Sequence, residues 1–375
     1  MRPEGTTGVQ THFNTFIEVA KKTGVDVQLL TPFDAAKALV YPVFGFRKFV
    51  ERLSMELGSW WYWYWHYIVL RHCIFQRLDP CLRTAIVYAQ DLPSAKAALD
   101  LKDRGGPIEV VLVVHFNVSQ ASEWAANGYI REGGWVYDYL VKLERQVLPR
   151  VDRLLFPSRF MQQQVMGRVL EAQRVPSWVI PYFVSRSGTV EKRGPVASDL
   201  ITIGTLDPRK NHEFLLRALK HAHQLGYPYR LTIVGHGLPN RRRELKALGV
   251  DLGLDEHVKF TGHLPNAASL IPHYRVYVHS ARMDNFPFAI VEALAAGKPV
   301  LAAPVGGVPE VFSNGVQGLY WDLDDPHEAA KLLIKVMENR ALYEQMSRAA
   351  QERYELHLSP EALYPRWMEA VLGSS

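Results

Sequence analysis

Two acidic residues in the segment Ser280–Gly297 stand where they could bind a hydroxyl-rich ligand. Asp284 and Glu292 are separated by seven residues, a strand is predicted to end at Ser280, and a helix is predicted to begin near Phe288. In parallel α/β proteins, ligands bind at the carboxyl ends of strands, and free N–H groups at a helix N-terminus attract phosphates or hydroxyl-rich rings. Carboxylates there could accept hydrogen bonds from sugar or ribose hydroxyls. The structural alternative is that Asp284 caps the helix and Glu292 is a solvated helix residue.

The elements that would position these residues follow an alternating pattern. Short β-branched runs such as Val110–Val114 and Ile201–Ile203 end at polar or glycine-bearing turns, and helical spacing follows in stretches such as Glu213–Leu225 and Pro326–Asn339. This alternation is typical of α/β proteins with parallel sheets. Further strands are predicted at Val25–Leu30, Thr84–Ala89, Arg153–Phe156, Arg230–Val234, His257–Thr261, Val276–His279 and Pro299–Ala302.

Length and composition restrict the class of protein. The 375 residues exceed the size at which single cores stop growing, so we expect two domains with a cleft between them. A weakly patterned stretch at Pro181–Gly194 is the predicted linker. The net charge of +5 could attract nucleic acid, anionic lipid or phosphorylated substrates, but the scattered Lys and Arg residues argue against nucleic acid.

Cysteine usage and hydropathy indicate a cytoplasmic protein. The two cysteines, Cys73 and Cys81, have neither the spacing of a zinc site nor the number of a disulfide framework. The N-terminus lacks a signal-peptide core, and no run of 18 uncharged apolar residues follows. We therefore expect neither export nor a membrane span.

Several motifs occur in one order that resembles the retaining family 4 glycosyltransferases. The segment around Asp284 and Glu292 resembles the family's E-x7-E signature, with Asp in the first position. It is accompanied by Ile203–Asn211, Ile233–Gly237, Val258–Pro265 and Val305–Glu310. The resemblance implies the α/β GT-B fold, in which two Rossmann-like domains face each other across a cleft. It places an acceptor-side domain at 1–185, a nucleotide-sugar domain at 195–355 and a returning C-terminal helix at 356–375.

The resemblance also implies roles for single residues. Lys210 matches the lysine that meets the donor diphosphate, Glu292 the carboxylate that holds the ribose, and Asp284 the acid at the face of the transferred sugar. Leu264 lies in the loop expected near the nucleobase. Around the sugar and phosphate, the family uses the turn that here contains Asn285, Phe286 and Phe288.

Two further loops contain candidate residues: one departs from the family pattern, and the other contains a glycine pair. Where the family commonly has Arg after the first glycine, this chain has Gly204-Thr205, so Arg209 is the nearest replacement cation for the diphosphate. Gly306 and Gly307 are expected to let the backbone approach the nucleotide closely, and a plain tight turn is the alternative.

The N-terminal half contributes two further candidates. Gly5–His12 resembles the glycine-rich loop over the donor diphosphate, which makes Gly8 a donor-binding residue. His115 follows a predicted strand, where the family often has a histidine facing the donor sugar, and a structural histidine is the alternative. In the family a strand precedes the glycine-rich loop, whereas only four residues precede Gly5. We therefore expect either that the first strand is missing or that the sheet begins with a later one.

Residues 46–67 combine an apolar stripe with basic and aromatic residues. Phe46, Phe49, Val50, Leu53 and Leu57 recur at helical spacing beside Arg47, Lys48 and Arg52, and the aromatic run Trp60–Tyr67 follows. Such a helix could lie on an anionic membrane surface. It could equally pack its apolar face on the N-terminal sheet, and the aromatic residues could line an acceptor groove.

These observations predict a retaining hexosyltransferase that moves a sugar from a nucleoside diphosphate sugar to an acceptor hydroxyl on a glycan, a lipid-linked molecule or a small molecule. The donor is a co-substrate, and no cofactor or metal is predicted, because Lys210 and helix N–H groups could stabilise the departing diphosphate. A sugar-nucleotide epimerase and a non-catalytic sugar-nucleotide-binding protein are the alternatives. Donor base, sugar, acceptor and oligomeric state stay open.

Overall fold

The chain divides into two compact units. The computed structural model describes residues 8–78, 85–116, 118–186 and 198–373. The first unit comprises Met1–Pro181 and Tyr364–Ser375, and the second comprises Tyr182–Leu363. Much of the predicted linker, residues 187–194, lies outside the described residues.

The first unit is built on a parallel sheet with the strand order β1-β2-β3-β4. Strand β3 is buried along its whole length, and in β2 only Glu109 is partly exposed. Helices on the chain between and before the strands supply the rest of the core. The strands are β1 (Ala85–Ala89), β2 (Ile108–Val113), β3 (Arg153–Phe156) and β4 (Ser177–Val179), and the helices are α1 (Gly8–Lys22), α2 (Lys37–Leu53), α3 (Met55–Arg77), α4 (Leu92–Lys102), α5 (Gln120–Ala126), α6 (Trp135–Val147) and α7 (Arg159–Arg168).

The second unit contains a six-stranded parallel sheet with the order β10-β9-β8-β5-β6-β7. Strands β5 and β8 are neighbours in its middle, with Ile201 opposite Tyr277. The strands are β5 (Ser198–Ile203), β6 (Leu231–Val234), β7 (Val258–Gly262), β8 (Tyr274–His279), β9 (Val300–Ala302) and β10 (Gly318–Tyr320), and the helices are α8 (His212–Gln224), α9 (Pro239–Asp251), α10 (Phe288–Ala295), α11 (Val308–Val311), α12 (Pro326–Glu338) and α13 (Arg340–His357).

Polar side chains start several of the helices that follow strands. Asp91 accepts a hydrogen bond from the backbone N–H of Ser94 at 2.8 Å at the start of α4. Asp325 does the same for Glu328 at 2.9 Å at the start of α12. Each cap satisfies one of the N–H groups that a helix leaves unpaired at its first turn, so the strand-to-helix turns are encoded locally.

Most of the predicted elements are confirmed, and one strand is wrong. The predicted helices at Glu213–Leu225 and Pro326–Asn339 and the strands from β1 to β9 occur within a few residues of their expected limits, with the exception of β4, which was not predicted. Residues 25–30 have no regular secondary structure, because among the described residues no strand pairs with them. The sequence also did not indicate β10, which, like β4, has only three residues.

The apolar stripe of residues 46–57 is split between core and surface. Val50 is buried, whereas Phe46, Phe49 and Leu53 are 48%, 52% and 70% exposed. Packing of the whole stripe on the sheet is therefore wrong. Trp63 of the aromatic run is buried against Trp124 at a ring distance of 5.2 Å. Among the described residues, no helix is long and apolar enough to cross a membrane.

The C-terminal helix α14 (Pro360–Leu372) contributes its residues from Tyr364 onward to the first unit. Trp367 is fully buried, and its indole Nε1 donates to the carbonyl of Pro181 at 3.0 Å. Its ring lies 4.8 Å from that of His12 and 6.4 Å from that of Phe16 on α1. The tail therefore forms part of the core of the first unit, beside α1.

We expect Trp367→Ala to lower the free energy of unfolding of the first unit by roughly 3–5 kcal/mol, because a large buried ring is replaced by a cavity. Urea titration followed by tryptophan fluorescence and circular dichroism measures this loss. The neighbouring Arg366 is exposed, so Arg366→Ala should change stability by less than about 0.5 kcal/mol. Equal stability of the two variants would contradict a core role for the tail.

Candidate functional site

Two loops leave the same edge of the second sheet. One follows β5 and runs from Gly204 to Asn211, and the other follows β8 and runs from Ser280 to Pro287. Because β5 and β8 are adjacent and parallel, their carboxyl ends lie side by side. This is the edge at which ligands of open parallel sheets bind.

A buried ion pair joins the two loops. The Lys210 Nζ lies 2.6 Å from the Asp284 Oδ2, and the two side chains are 17% and 11% exposed. The His279 Nε2 lies 3.3 Å from the same oxygen. Burial alone would raise the pKa of the Asp284 carboxyl, but Lys210 and His279 outweigh it and hold that pKa well below its usual range. Asp284 is therefore a carboxylate that accepts hydrogen bonds, and it is a poor proton donor.

Hydrogen bonds to backbone carbonyls hold the same loops in register. The Ser280 hydroxyl donates to the carbonyl of Lys210 at 2.7 Å, and the N–H of Arg282 donates to the carbonyl of Arg209 at 2.9 Å. The Arg209 Nη1 donates to the carbonyl of Met283 at 3.1 Å. Arg209 therefore lies at the site, with part of its guanidinium engaged by the second loop.

A third loop, after β9, fixes the backbone of Asp284. The N–H of Gly307 donates to the carbonyl of Asp284 at 2.8 Å. Gly306 has a φ of +55°, and a Cβ there would come within 2.1 Å of the same carbonyl oxygen. Glycine is required at 306 because of this contact, so the structure supports the tight-turn explanation for the pair and shows no need for a nucleotide to explain it.

Helix α10 begins beside the acidic turn. Its N-cap is Pro287, with no side-chain capping bond, so the interpretation of Asp284 as the helix cap is wrong. Glu292, one turn into α10, is half-buried, and burial raises its pKa to about 7. The expectation that Glu292 is a solvated surface residue is wrong as well, since solvent would leave the carboxyl fully ionised at neutral pH.

The turn before α10 is packed rather than open. Asn285 and Phe286 are buried, and Phe288 stacks on Tyr182 with ring centroids 4.7 Å apart. Phe286 meets the same Tyr182 ring edge-on at 5.6 Å. Tyr182 thus fixes the start of α10, whose first N–H groups have no partner within the helix.

The remaining predicted residues lie apart from this cluster in the chain. Leu264 is half-buried in the loop after β7. His115 belongs to the first unit, where its Nε2 lies 2.9 Å from the Gln90 Oε1, and burial lowers its pKa to about 4. Gly8 is the first residue of α1, and residues 1–7 of the predicted glycine-rich loop lie outside the described residues.

Sequence reasoning missed three buried residues that adjoin Lys210 in the chain or contact Asp284. His279 ends β8, and its own pKa is lowered by burial, so it is neutral when it contacts Asp284. Asn211 adopts a φ of +51°, and its Nδ2 is buried without a hydrogen-bond partner in the described chain. His212, which follows it, is also buried. The strand-end position of His279, directly before Ser280, was the signal that could have indicated it.

An Asp-x-Asp triplet, the pattern that often holds divalent ions, lies after β10. The N–H of Asp324 donates to the Asp322 Oδ1 at 2.9 Å, and Asp324 is exposed beside Arg282 at 3.8 Å. Within the described ranges, no group of three or more His, Cys, Asp or Glu residues could hold a metal ion.

Two protein-family models match nearly the whole chain. The model described as Glycosyltransferase Family 4 matches residues 6–185, and the model described as Glycosyl transferases group 1 matches residues 195–353. Each match falls almost entirely within one structural unit.

Curated relatives match part of their own length. A D-inositol 3-phosphate glycosyltransferase from Thermobifida fusca is 31% identical over 160 residues, which are 40% of this chain and 37% of the relative. The Vi polysaccharide biosynthesis protein VipC/TviE of Salmonella typhi is 26% identical over 203 residues, 51% of this chain and 34% of the relative. The chain thus aligns with roughly a third of the length of these two proteins.

Solved structures show the same fold. Anabaena Alr3699/HepE, in complex with UDP and glucose, has a TM-score of 0.66 at 19% identity, covering 81% of this chain and 82% of that chain. The sucrose-phosphate synthase of Thermosynechococcus elongatus has a TM-score of 0.66 at 17% identity, covering 81% and 76%. With two parallel sheets flanked by helices, two matching family models and these neighbours, the chain belongs to the family 4 glycosyltransferases and has their GT-B fold of two Rossmann-like domains.

Proposed function

We propose that this chain is a retaining hexosyltransferase that moves a sugar from a nucleoside diphosphate sugar to an acceptor hydroxyl. The observation that carries the proposal is the buried Lys210–Asp284 pair at the carboxyl ends of β5 and β8, beside the N-terminus of α10. A cation, a permanently ionised carboxylate and free helix N–H groups are the three features that a diphosphate and a sugar ring need. Support comes from Anabaena HepE, a protein of the same fold whose structures contain UDP, glucose or UDP-glucose.

Binding of the donor exchanges one ion-pair partner for another. In the free chain, the Lys210 ammonium is paired with the Asp284 carboxylate, with Nζ 2.6 Å from Oδ2. A diphosphate that reaches Lys210 shares or takes over that ammonium, and the Asp284 oxygens then accept hydrogen bonds from sugar hydroxyls. The two charges are kept together because either one alone would be costly to bury. Arg209 is the second cation for the diphosphate.

The reaction breaks the bond between the anomeric carbon and the diphosphate oxygen and forms one to the acceptor oxygen. Negative charge develops on the diphosphate as its bond breaks, and Lys210, Arg209 and the first N–H groups of α10 stabilise it without a metal ion. The acceptor proton passes to the leaving phosphate oxygen, with attack on the same face of the sugar. Asp284 holds the sugar and, as a carboxylate, stabilises positive charge at the anomeric carbon.

The exposed surface of α2 and α3 supports peripheral membrane association on the cytoplasmic face. Phe46, Phe49 and Leu53 are exposed together with Lys48 and Arg52. Arg47 differs from these two cations, since it pairs with Glu51 at 2.6 Å and lies over the Tyr62 ring. Apolar side chains enter the headgroup boundary while the flanking cations meet anionic lipid. The acceptor we propose is accordingly a hydroxyl of a lipid-linked molecule or glycan.

Lys210→Ala should lower kcat roughly 30- to 1000-fold, because removing one charge-assisted contact that strengthens as the phosphate departs costs about 2–4 kcal/mol. Sugar transfer is followed by product chromatography, which also detects an epimerase. Lys246→Ala on the exposed face of α9 is the matched control and should retain full activity. Lys210→Ala combined with Asp284→Asn removes the uncompensated buried charge, so a stable but inactive double variant separates catalysis from folding.

EDTA should leave the wild-type rate unchanged, and a loss that Mg²⁺ or Mn²⁺ restores would contradict metal-free stabilisation.

Affinity for the donor should rise about tenfold between pH 6 and pH 8. The pKa of Glu292 is about 7 in the free chain, and the carboxylate accepts stronger hydrogen bonds from the ribose hydroxyls than the neutral acid does, so donor binding releases the proton that Glu292 holds below pH 7. Thermal-shift screening with UDP-glucose, GDP-mannose and ADP-glucose selects the donor, and calorimetry then gives its Kd against pH.

Glu292→Gln should bind the selected donor more weakly at pH 8 and lose this pH dependence, whereas Glu352→Gln, at an exposed position of α13, should match the wild type. A pH profile that is the same in Glu292→Gln and the wild type would contradict the ribose role of Glu292.

The chain should cosediment with vesicles that contain anionic lipid and dissociate as salt rises, because each Lys or Arg at such a surface contributes about 1 kcal/mol that ions screen. The double variant Lys48→Glu/Arg52→Glu should lose at least roughly 30-fold in partition. Lys21→Glu/Lys22→Glu makes the same charge change at exposed positions of α1 and should leave partition nearly unchanged. Equal loss in both variants would show attraction by net charge alone.

A further inference from the structure

A buried histidine nitrogen lies beside the Lys210–Asp284 pair without a hydrogen bond of its own. His279 is the last residue of β8 and is only 3% exposed. Its Nε2 lies 3.3 Å from the Asp284 Oδ2 in a geometry that does not make a hydrogen bond, and no other described residue bonds to it. Buried polar atoms in proteins are nearly always paired. This nitrogen therefore needs an explanation that the ligand-free chain does not supply.

The histidine and the carboxylate are both held in place by their backbones. His279 lies opposite Ala302 in the ladder between β8 and β9, and its carbonyl accepts a hydrogen bond from the Trp321 Nε1 at 3.2 Å. The carbonyl of Asp284 accepts a hydrogen bond from the N–H of Gly307 at 2.8 Å. Because neither backbone is free to move away, the Nε2 stays within reach of the carboxylate in any state of the site.

The His279 Nε2 is a hydrogen-bond donor. Burial lowers the pKa of His279, so the ring is neutral and one of its two nitrogens carries the hydrogen. A lone pair on Nε2 would face the negative charge of Asp284, whereas an N–H at the same place is attracted to that charge. The structure thus puts an N–H beside an oxygen that the Lys210 ammonium already engages at 2.6 Å.

The same oxygen loses its cation in the proposed reaction. A diphosphate that draws Lys210 toward itself leaves Asp284 as a buried carboxylate without a counter-ion, which is strongly destabilising. Lys210 and His279 both approach Oδ2, so the sugar hydroxyls are left with Oδ1 and do not replace the ammonium at Oδ2. An N–H group on the Oδ2 side would offset the loss.

We propose that His279 is a positioning residue for the nucleotide sugar: its Nε2–H becomes the hydrogen-bond partner of the Asp284 Oδ2 when a diphosphate draws the Lys210 ammonium away. A small rotation of the carboxylate aligns the bond, since the two atoms are already 3.3 Å apart. Bonded to His279, the carboxylate keeps its place at the sugar while Lys210 serves the phosphate. His279 has this role only in a chain that binds a nucleotide sugar, so the assignment rests on the proposed function.

Calorimetry on variants of His279 tests this role, with whichever of UDP-glucose, GDP-mannose and ADP-glucose raises the Tm of the wild type. His279→Leu removes the N–H and should raise the Kd at least roughly tenfold, because a hydrogen bond to a charged group is lost. The Tm of the ligand-free variant should stay within about 2 °C of the wild type, since the Nε2 makes no hydrogen bond there.

Two further variants separate the hydrogen bond from packing. The amide nitrogen of His279→Gln offers N–H groups at a similar reach, so its Kd should lie within about threefold of the wild type. His257→Leu makes the first change again directly before β7, at the opposite edge of the same sheet, and should leave the Kd unchanged. An unchanged Kd in His279→Leu, or a loss that His279→Gln does not reduce, overturns the role. A lower Tm of ligand-free His279→Leu with an unchanged Kd would identify a purely structural histidine.

A double-mutant cycle at pH 8 removes the ammonium without any nucleotide sugar. Lys210→Met keeps most of the side-chain volume and leaves Asp284 to His279. His279→Leu should therefore lower Tm by at least about 4 °C more in the Lys210→Met background than in the wild-type background. Equal shifts in the two backgrounds overturn the exchange of partners. If the cycle shows this coupling but none of the three nucleotide sugars binds the wild type, the result contradicts the proposed sugar transfer and supports the exchange.

The wild-type chain decides the question if a variant fails to fold. In protein with isotope-labelled histidine, the proton on the His279 Nε2 should move downfield in the NMR spectrum when the nucleotide sugar binds, because it enters a hydrogen bond to a carboxylate. A resonance that does not move at saturation overturns the proposal.

Discussion

The loop arrangement of the second unit depends on one constraint, that Lys210 and Asp284 are buried as a pair. An ammonium or a carboxylate taken out of water alone is strongly destabilising, and the pair is tolerated only with close geometry and additional hydrogen bonds. Contacts from three loops maintain that geometry: the Ser280 hydroxyl on the carbonyl of Lys210, the Arg209 guanidinium on the carbonyl of Met283, and the N–H of Gly307 on the carbonyl of Asp284. The carboxyl ends of β5, β8 and β9 are thereby fixed relative to one another before any ligand binds.

The sequence predicted those parts of the fold that local chemistry determines. Strand-to-helix turns have capping residues such as Asp91 and Asp325, and central strands have β-branched runs, so both could be located. A strand also needs a partner, and periodicity does not report whether one exists. Residues 25–30 have the pattern of a strand and no described neighbour, whereas β4 and β10 have a neighbour and were not indicated by the sequence, although the equally short β9 was.

The sequence predicted the charged residues of the candidate site but not the residues that hold them in place. Lys210 and Asp284 were predicted through their motifs, yet they lie 74 residues apart, and no spacing rule indicates that they form an ion pair. The neutral His279 beneath the pair and the stacking of Tyr182 on Phe288 arise only from tertiary packing. For Gly306 the sequence left close approach to a ligand and a tight turn open, and the contact that requires glycine there, between a Cβ and the Asp284 carbonyl oxygen, arises from tertiary packing.

Because of this backbone contact, which acid can stand at position 284 depends on the residues around it. Asp284 stands at the first acidic position of the E-x7-E signature that this segment resembles, and a longer acid would normally be accommodated by a small backbone shift. Here the carbonyl of Asp284 is held by the N–H of Gly307 and lies close against Gly306, while Lys210 already lies 2.6 Å from the carboxylate. An added methylene would therefore displace Lys210 or the glycine loop. Asp and Glu can replace each other at position 284 only together with compensating changes in these two loops.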